Sequence, residues 1–407
     1  MLIWLSHFIP FPPRGGAPQR SYHLLREASR HRDIMLVAFN RPAQTRETLE
    51  AYSAELRAFC AEVEFWELPF PWKGVRWWAG LLANMAQTLP HACEAYRSPA
   101  LLQRWSEILR AHSDALIHID SSDLAVFVPA ASGRRVLLNH HNFESAMAER
   151  RARLERNPLK RFLLAEQSKR QAALEREICS TVTVNAVVSK EDGELLRLQS
   201  PRAHVHVVPN GTDVDYFRVD PTAPRPDTLV FAGSLSWYPN VSGLRYFRDR
   251  IWPHLKREVP ALECILAGKS PAREIADWSA AEPSVTLVAN PDDIRPWIAR
   301  GSVFICPIVD GGGTRLKLLD AMSSGKAIVS TTVGAEGLGV TSNEQLLLAD
   351  SPDEFARMTL RLLRDADLRA TLSRNARAFV ERHFSWHTIG GELEAAYACD
   401  GRHRSIE

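Results

Sequence analysis

No uninterrupted apolar run in this sequence reaches the roughly 18 residues of a membrane-spanning helix, so the chain is not expected to cross a bilayer. Close cysteine pairs are also missing. The six cysteines at 60, 93, 179, 264, 306 and 399 are scattered, which excludes a dense disulfide framework or a Cys-rich zinc site and suits a reducing compartment. Charge of one sign is lacking too: 50 Lys+Arg against 48 Asp+Glu leave +2, and no global field argues for nucleic acid as partner. The opening stretch MLIWLSHFIPFPPRGG has no basic n-region and meets prolines early, so it reads as a first strand rather than a signal peptide. A cytoplasmic protein is expected. GxGxxG opening a helix, the dinucleotide fingerprint, is absent, as are internal repeats.

What is present is alternation. Short apolar runs rich in β-branched residues alternate with longer amphipathic stretches, the pattern of βαβ units and parallel sheets. One series holds candidate strands Leu2–Leu5, Ile34–Phe39, Ala115–Ile119, Val136–Asn139, Thr181–Val188 and Val205–Val208, with a helix near Ser21–Arg30. The proline-rich stretch Pro221–Pro226 interrupts it as a linker would. A second series follows: strands Leu229–Ala232, Leu262–Ala267, Val285–Val288, Ser302–Pro307 and Ala327–Thr332, with a helix around Val241–Leu255. At 407 residues, two α/β domains are expected.

Residues 303–331 carry the most chemistry. In VFICPIVDGGGTRLKLLDAMSSGKAIVST, a strand enters a three-glycine loop, then a helix expected to start near Thr314 as N-cap and to end at Gly325 in the left-handed conformation. In open parallel sheets, ligands bind beyond the carboxyl ends of strands, where helix N-termini present free N–H groups to anions. Arg315 and Lys317 stand in the first turn, where the macrodipole disfavours cations by a few tenths to about 1 kcal/mol. A bound diphosphate reverses that sign, so a guanidinium and an ammonium here form a diphosphate clamp; the alternative is that both point into water. Asp320, one and a half turns on, is placed to accept ribose hydroxyls or simply faces solvent.

This segment resembles the donor-binding motif of family 4 glycosyltransferases of the GT-B fold, especially the subgroup reading GxGTRLKxLEAMAxGKPVVST. Four other stretches extend the resemblance: Val208–Phe217 (VPNGTDVDYF), Phe231–Asn240 (FAGSLSWYPN), Asn290–Trp297 and Phe384–Trp386. It implies an α/β protein with two Rossmann-like, doubly wound domains facing each other across a cleft. The implied division is residues 1–212, 213–383 and a last helix within 384–407 that crosses back to the first domain. It also implies a retaining transferase using a UDP- or GDP-sugar, with no cofactor and no metal. Surface polysaccharide synthesis is the implied setting, with a saccharide, lipid-linked or small-molecule acceptor. Where many members carry two glutamates, this chain has Gly312 and Asp320; where many carry an Arg and a Lys after the first strand of the second domain, it has Ser234 and Asn240. Arg315 and Lys317 are therefore the implied phosphate ligands, with Gly233, Ser234, Asn240, Gly312, Gly313 and Thr314 lining the donor.

In the first domain, Gly15 and Gly16 follow the first strand, where a backbone close to a ligand needs glycine, and the resemblance gives that loop to the diphosphate side. His141, in HHNFES after a strand, matches the family's active-site histidine; Glu144 either orients an acceptor or caps the next helix. Asp213 and Asp215 form an Asp-x-Asp that turn geometry explains without a metal. Trp66, Phe70, Trp72, Trp77 and Trp78 with Lys73 and Arg76, and the basic stretch Arg150–Arg170, read two ways. One is peripheral contact with the inner face of a membrane; the other is a core aromatic cluster beside a solvated helix. An epimerase on the same fold and a non-catalytic nucleotide-sugar-binding subunit remain competing readings.

Overall fold

Apolar runs buried on both faces build two parallel sheets, as strands covered by helices on either side must. The computed structural model describes residues 1–13, 15–41, 43–68, 75–155, 157–221, 224–310 and 315–399. Two compact units divide the chain, one formed by Met1–Pro209 together with the segment from Ile389, the other by Asn210–Thr388. Pro221–Pro226 therefore lies inside the second unit rather than between the two.

The first unit holds β1 (Leu2–Ser6), β2 (Ile34–Asn40), β3 (Glu62–Glu67), β4 (Leu116–Ile119), β5 (Val136–Asn139), β6 (Val184–Val187) and β7 (Val205–Val207). They pair in parallel in the order β3-β2-β1-β4-β5-β6-β7. The second holds β8 (Thr228–Ala232), β9 (Glu263–Gly268), β10 (Val285–Ala289), β11 (Val303–Cys306), β12 (Ala327–Ser330) and β13 (Leu347–Leu348), in the order β10-β9-β8-β11-β12-β13. In each sheet the winding reverses beside the first strand, between β1 and β4 and between β8 and β11. Ligands of doubly wound sheets bind at the carboxyl edge of that reversal.

Several expectations need correction. β3 was not foreseen, because its sequence EVEFWE alternates glutamates with apolar residues; it is an edge strand, where exposed Glu62 and Glu67 are tolerated. The helix expected over Val241–Leu255 is instead a helix Tyr238–Tyr246, a π-turn Phe247–Ile251 and a helix Trp252–Glu258. Pro253, which has no N–H to give to the fourth residue back, accounts for the break. The helix after β11 spans Leu316–Ser323 with Arg315 at its N-cap, so it starts later than Thr314, and Thr314 itself lies outside the described residues. Its other end follows the sequence reading. Gly325 has φ +65°, Gly325 N–H donates to Met322 O and Lys326 N–H to Ala321 O, a Schellman closure.

From Ile389 the C-terminal helix Trp386–Ala398 is part of the first unit. The Tyr397 hydroxyl lies 2.8 Å from His118 Nδ1 in the core, and a Cβ on Gly390 would sit 2.8 Å from Glu27 Cβ.

Candidate functional site

In the second unit the carboxyl ends of β8 and β11 bring separate motifs together. β8 runs into Gly233, whose φ of +148° favours glycine; an added Cβ would lie 3.3 Å from Lys317 Cε and 3.4 Å from Asn240 Nδ2, which places all three side by side. Lys317 Nζ donates to Asn240 Oδ1, and Asn240 Nδ2 donates to Ser234 O at 2.6 Å. The same ammonium sits 4.4 Å from the Phe231 ring centroid. Gly233, Ser234, Asn240 and Lys317, up to 84 residues apart in sequence, thus form one constellation. Burial, the largest influence, lowers Lys317 to about 8, so it still carries its charge at neutral pH. The backbone is packed closely behind it, since a Cβ on Gly268 would overlap Gly233 O at 1.6 Å.

Asp320 projects from the same helix as Lys317 and accepts the Thr212 hydroxyl at 2.7 Å on Oδ1. Burial, opposed by that hydrogen bond, pushes it up to about 7. Near β10, Asn290 takes φ +53° and accepts Ser270 N–H at 2.8 Å, while Arg295 pairs with Asp293 and lies 3.9 Å over the Tyr216 ring. Asp213 Oδ1 accepts the Asp215 and Tyr216 N–H groups at 3.1 and 2.9 Å, the turn role expected of it. Gly312, Gly313 and Thr314 lie outside the described residues.

The first unit places a second polar cluster at its own winding reversal. Asp120, directly after β4, is fully buried. Its Oδ2 accepts the hydroxyls of Ser6 (3.2 Å) and Ser21 (2.6 Å), its Oδ1 accepts Asn139 Nδ2 (2.8 Å), and His141 Nε2 lies 3.2 Å from Oδ1. Burial opposes its charge, but His141 and His118 together hold it well below the usual carboxylate range. Arg20 is equally buried and donates to Asn139 Oδ1 and to the carbonyls of Val208 and Pro209. Burial brings its pKa down to about 10, with Asp120 opposing the fall.

The two adjacent histidines have different surroundings. His140 faces Asn185 at 3.1 Å and burial takes it down to about 4, whereas His141, the one matched from sequence, turns to Asp120. Gly15, with φ +103°, is the N-cap of the helix Gly16–Ala28, so both glycines do stand at a helix start beyond β1. Glu144 opens the helix Glu144–Leu154, whose N-cap Phe143 has no side-chain cap bond. Burial, then Asp123 and Glu175, push Glu144 up to about 8.

Sequence reasoning missed Asp120, His7 and Arg20. Their only advance signal was position: His7 directly follows β1 and Asp120 directly follows β4. Trp66 belongs to the core, packed against Phe39 and Phe127, while Phe70 and Trp72 lie outside the described residues.

Residues 226–365 match the group 1 glycosyl transferases. The second unit carries a group 1 glycosyltransferase domain. A protein of the cps region of Klebsiella pneumoniae is 27% identical over 167 residues, 38% of this chain and 42% of that relative's length. Sucrose-phosphate synthase from Thermosynechococcus elongatus superposes with a TM-score of 0.71 at 17% identity, covering 98% of each chain. Anabaena HepE in complex with UDP-glucose gives 0.67 at 16% identity, covering 97% of this chain and 98% of that one. The architecture around the glycosyltransferase domain is thus GT-B, as expected from the motifs. The Lys317 constellation, Asp320 and the whole helix after β11 lie inside the matched segment.

Proposed function

We propose that this chain transfers a sugar from a nucleoside diphosphate donor, UDP- or GDP-linked, with retention of anomeric configuration. The acceptor is a saccharide, a lipid-linked sugar or a small molecule, as in surface polysaccharide or glycoconjugate assembly. The observation that carries this is Lys317, charged and fixed by Asn240 against Gly233 at the carboxyl edge where β8 meets β11. The cps-region relative supports the setting, and the UDP-glucose complex of HepE favours uracil as the base.

In this reading Arg315 and Lys317 take the diphosphate, Asp320 the ribose and His141 the donor sugar, with backbone groups at Gly15, Gly16, Gly233 and Gly312–Thr314 beside it. The bond from the anomeric carbon to the diphosphate breaks while the acceptor oxygen bonds the same face. The acceptor proton passes to the departing phosphate oxygen, and the two cations stabilise the charge that develops there. Neither a protein nucleophile nor a metal ion enters the reaction. Incubation with UDP- and GDP-hexoses, with and without acceptor, tests this by proton NMR of the products. A retained glycoside is expected. Free epimer without acceptor would indicate an epimerase, and donor that is bound yet never consumed would indicate a binding subunit.

Asp320 gives the binding a pH dependence of defined sign. As a carboxylate it accepts two ribose hydroxyls; once protonated it loses one acceptor site. UDP affinity is therefore expected to fall as pH drops through about 7, by up to about 1.4 kcal/mol per pH unit. Fold stability runs the other way. A carboxyl raised in the folded state favours folding when protonated, so its contribution is lost as pH rises from its unfolded value of 3.8 to about 7. Calorimetric titration with UDP at pH 6 and pH 7, below the range where Lys317 loses its charge, checks the first, and an Asp320→Asn variant should flatten the profile there.

The lipid-linked acceptor gains support from exposed apolar residues among cations. Leu159 and Phe162 are 60% and 61% exposed at the start of the helix Pro158–Ile178, beside Lys160 and Arg161, and Leu82 is 52% exposed on the helix Val75–Ala83. Arg170 takes no part, being committed to the carbonyls of Asn84, Met85 and Gln87. Cosedimentation with phosphatidylglycerol vesicles, lost in Phe162→Ser and absent with phosphatidylcholine alone, is the expected result. Equal recovery of both proteins in the supernatant would refute it.

A further inference from the structure

Three side chains of metal-ligating type meet at the carboxyl ends of β1, β4 and β5, and the proposed transfer uses only one of them. His7 follows β1, Asp120 follows β4 and His141 lies two residues beyond β5. One ligand atom from each lies within 4.8 Å of the other two. The rings of His7 and His141 are 5.4 Å apart between centroids, with Phe8 packed against both.

Two observations besides proximity point to a ligand. The His141 side chain is only 7% exposed, yet its Nδ1 makes no hydrogen bond among the described residues, and Nε2 faces only the Asp120 carboxylate, 3.2 Å from Oδ1. His7 Nδ1 is likewise buried without a hydrogen-bond partner there. Buried polar atoms left so keep the cost of their lost hydration, which a shared cation would relieve. Asp120, in turn, is already oriented. Ser6 and Ser21 fix Oδ2 and Asn139 fixes Oδ1, the kind of supporting hydrogen bonds that metal-ligating carboxylates carry.

We propose that His7, Asp120 and His141 form a binding site for a divalent transition metal of the zinc class, with three protein ligands and one open position. Two imidazoles and one carboxylate suit zinc or cobalt, whereas magnesium and calcium favour oxygen ligands alone. A tetrahedral centre with bonds near 2.0–2.1 Å sets its ligand atoms about 3.3 Å apart; His141 Nε2 and Asp120 Oδ1 already stand 3.2 Å apart, and the set as a whole lies within 4.8 Å. Metal held by His141 withholds that ring from the donor sugar, and the site is therefore inhibitory rather than catalytic. This consequence rests on the transfer reading above; the binding does not.

The test uses the full chain without a histidine tag, stripped by chelator and titrated with cobalt(II) while the visible spectrum is recorded, then with zinc by calorimetry. One equivalent of cobalt with intense four-coordinate bands, displaced by zinc, is expected. His7→Ala and His141→Ala should each weaken zinc at least about tenfold while leaving the metal-free unfolding temperature within the range of a control, His206→Ala, which keeps full affinity. Absence of the cobalt bands, or unchanged zinc affinity in both variants, would overturn the site. Zinc uptake without inhibition of transfer would overturn the inhibitory role alone.

Discussion

Replacing Lys317 by alanine is expected to weaken UDP binding by roughly 10- to 100-fold, the loss of a charge-assisted contact of about 1.5–3 kcal/mol. The ammonium is neither a loose surface charge nor a structural ion pair. Its anchors are the neutral Asn240 carboxamide and the Phe231 ring, and burial already lowers it to about 8. A cation that pays for desolvation without a carboxylate partner among the described residues is poised for an anionic ligand, and binding a diphosphate should raise its pKa again. Lys317→Arg is not expected to restore affinity, because the ammonium is held as a point charge between the Asn240 carboxamide and the Phe231 ring, and a longer, planar guanidinium cannot reproduce that position. Calorimetry with UDP on wild type and both variants measures this. Wild-type affinity in Lys317→Ala would remove the phosphate assignment.

His141→Ala is expected to act on turnover instead, lowering kcat by roughly 100- to 1000-fold, as loss of a preorganised polar contact does, with UDP affinity almost unchanged. UDP is the shared part of donor and product, whereas His141 is assigned to the sugar. Steady-state kinetics beside UDP calorimetry separate the two. A variant that loses UDP affinity in proportion to turnover would place His141 at the nucleotide or in the fold. Because Asp120 is fully buried with four polar side chains around one carboxylate, Asp120→Ala is a poorer probe: it breaks that network and the fold with it.

The Lys317 constellation was more legible than the first-unit cluster, for a physical reason. Lys317, Asn240 and Gly233 each sit in a contiguous motif at a strand end, and the Gly325 closure follows from local backbone geometry. Asp120 lies in HIDSSDL, an unremarkable turn sequence. Its importance comes from Ser6, Ser21, Asn139 and His141, which parallel crossovers bring to it from other strand ends and the first helix. Propensity failed at β3, where glutamates sit on an edge strand, and at Pro253, which breaks an otherwise regular helical pattern. The pKa of about 7 at Asp320 was also beyond sequence, since burial sets it rather than residue type.

Release of nucleoside diphosphate from a panel of UDP- and GDP-hexoses, compared between wild type and Lys317→Ala, tests the central claim most directly. Release from at least one donor by wild type, accelerated by acceptor and reduced by roughly 10-fold or more in the variant at subsaturating donor, is the expected result. Equal release by both proteins, or a donor bound by wild type and never consumed, would contradict it.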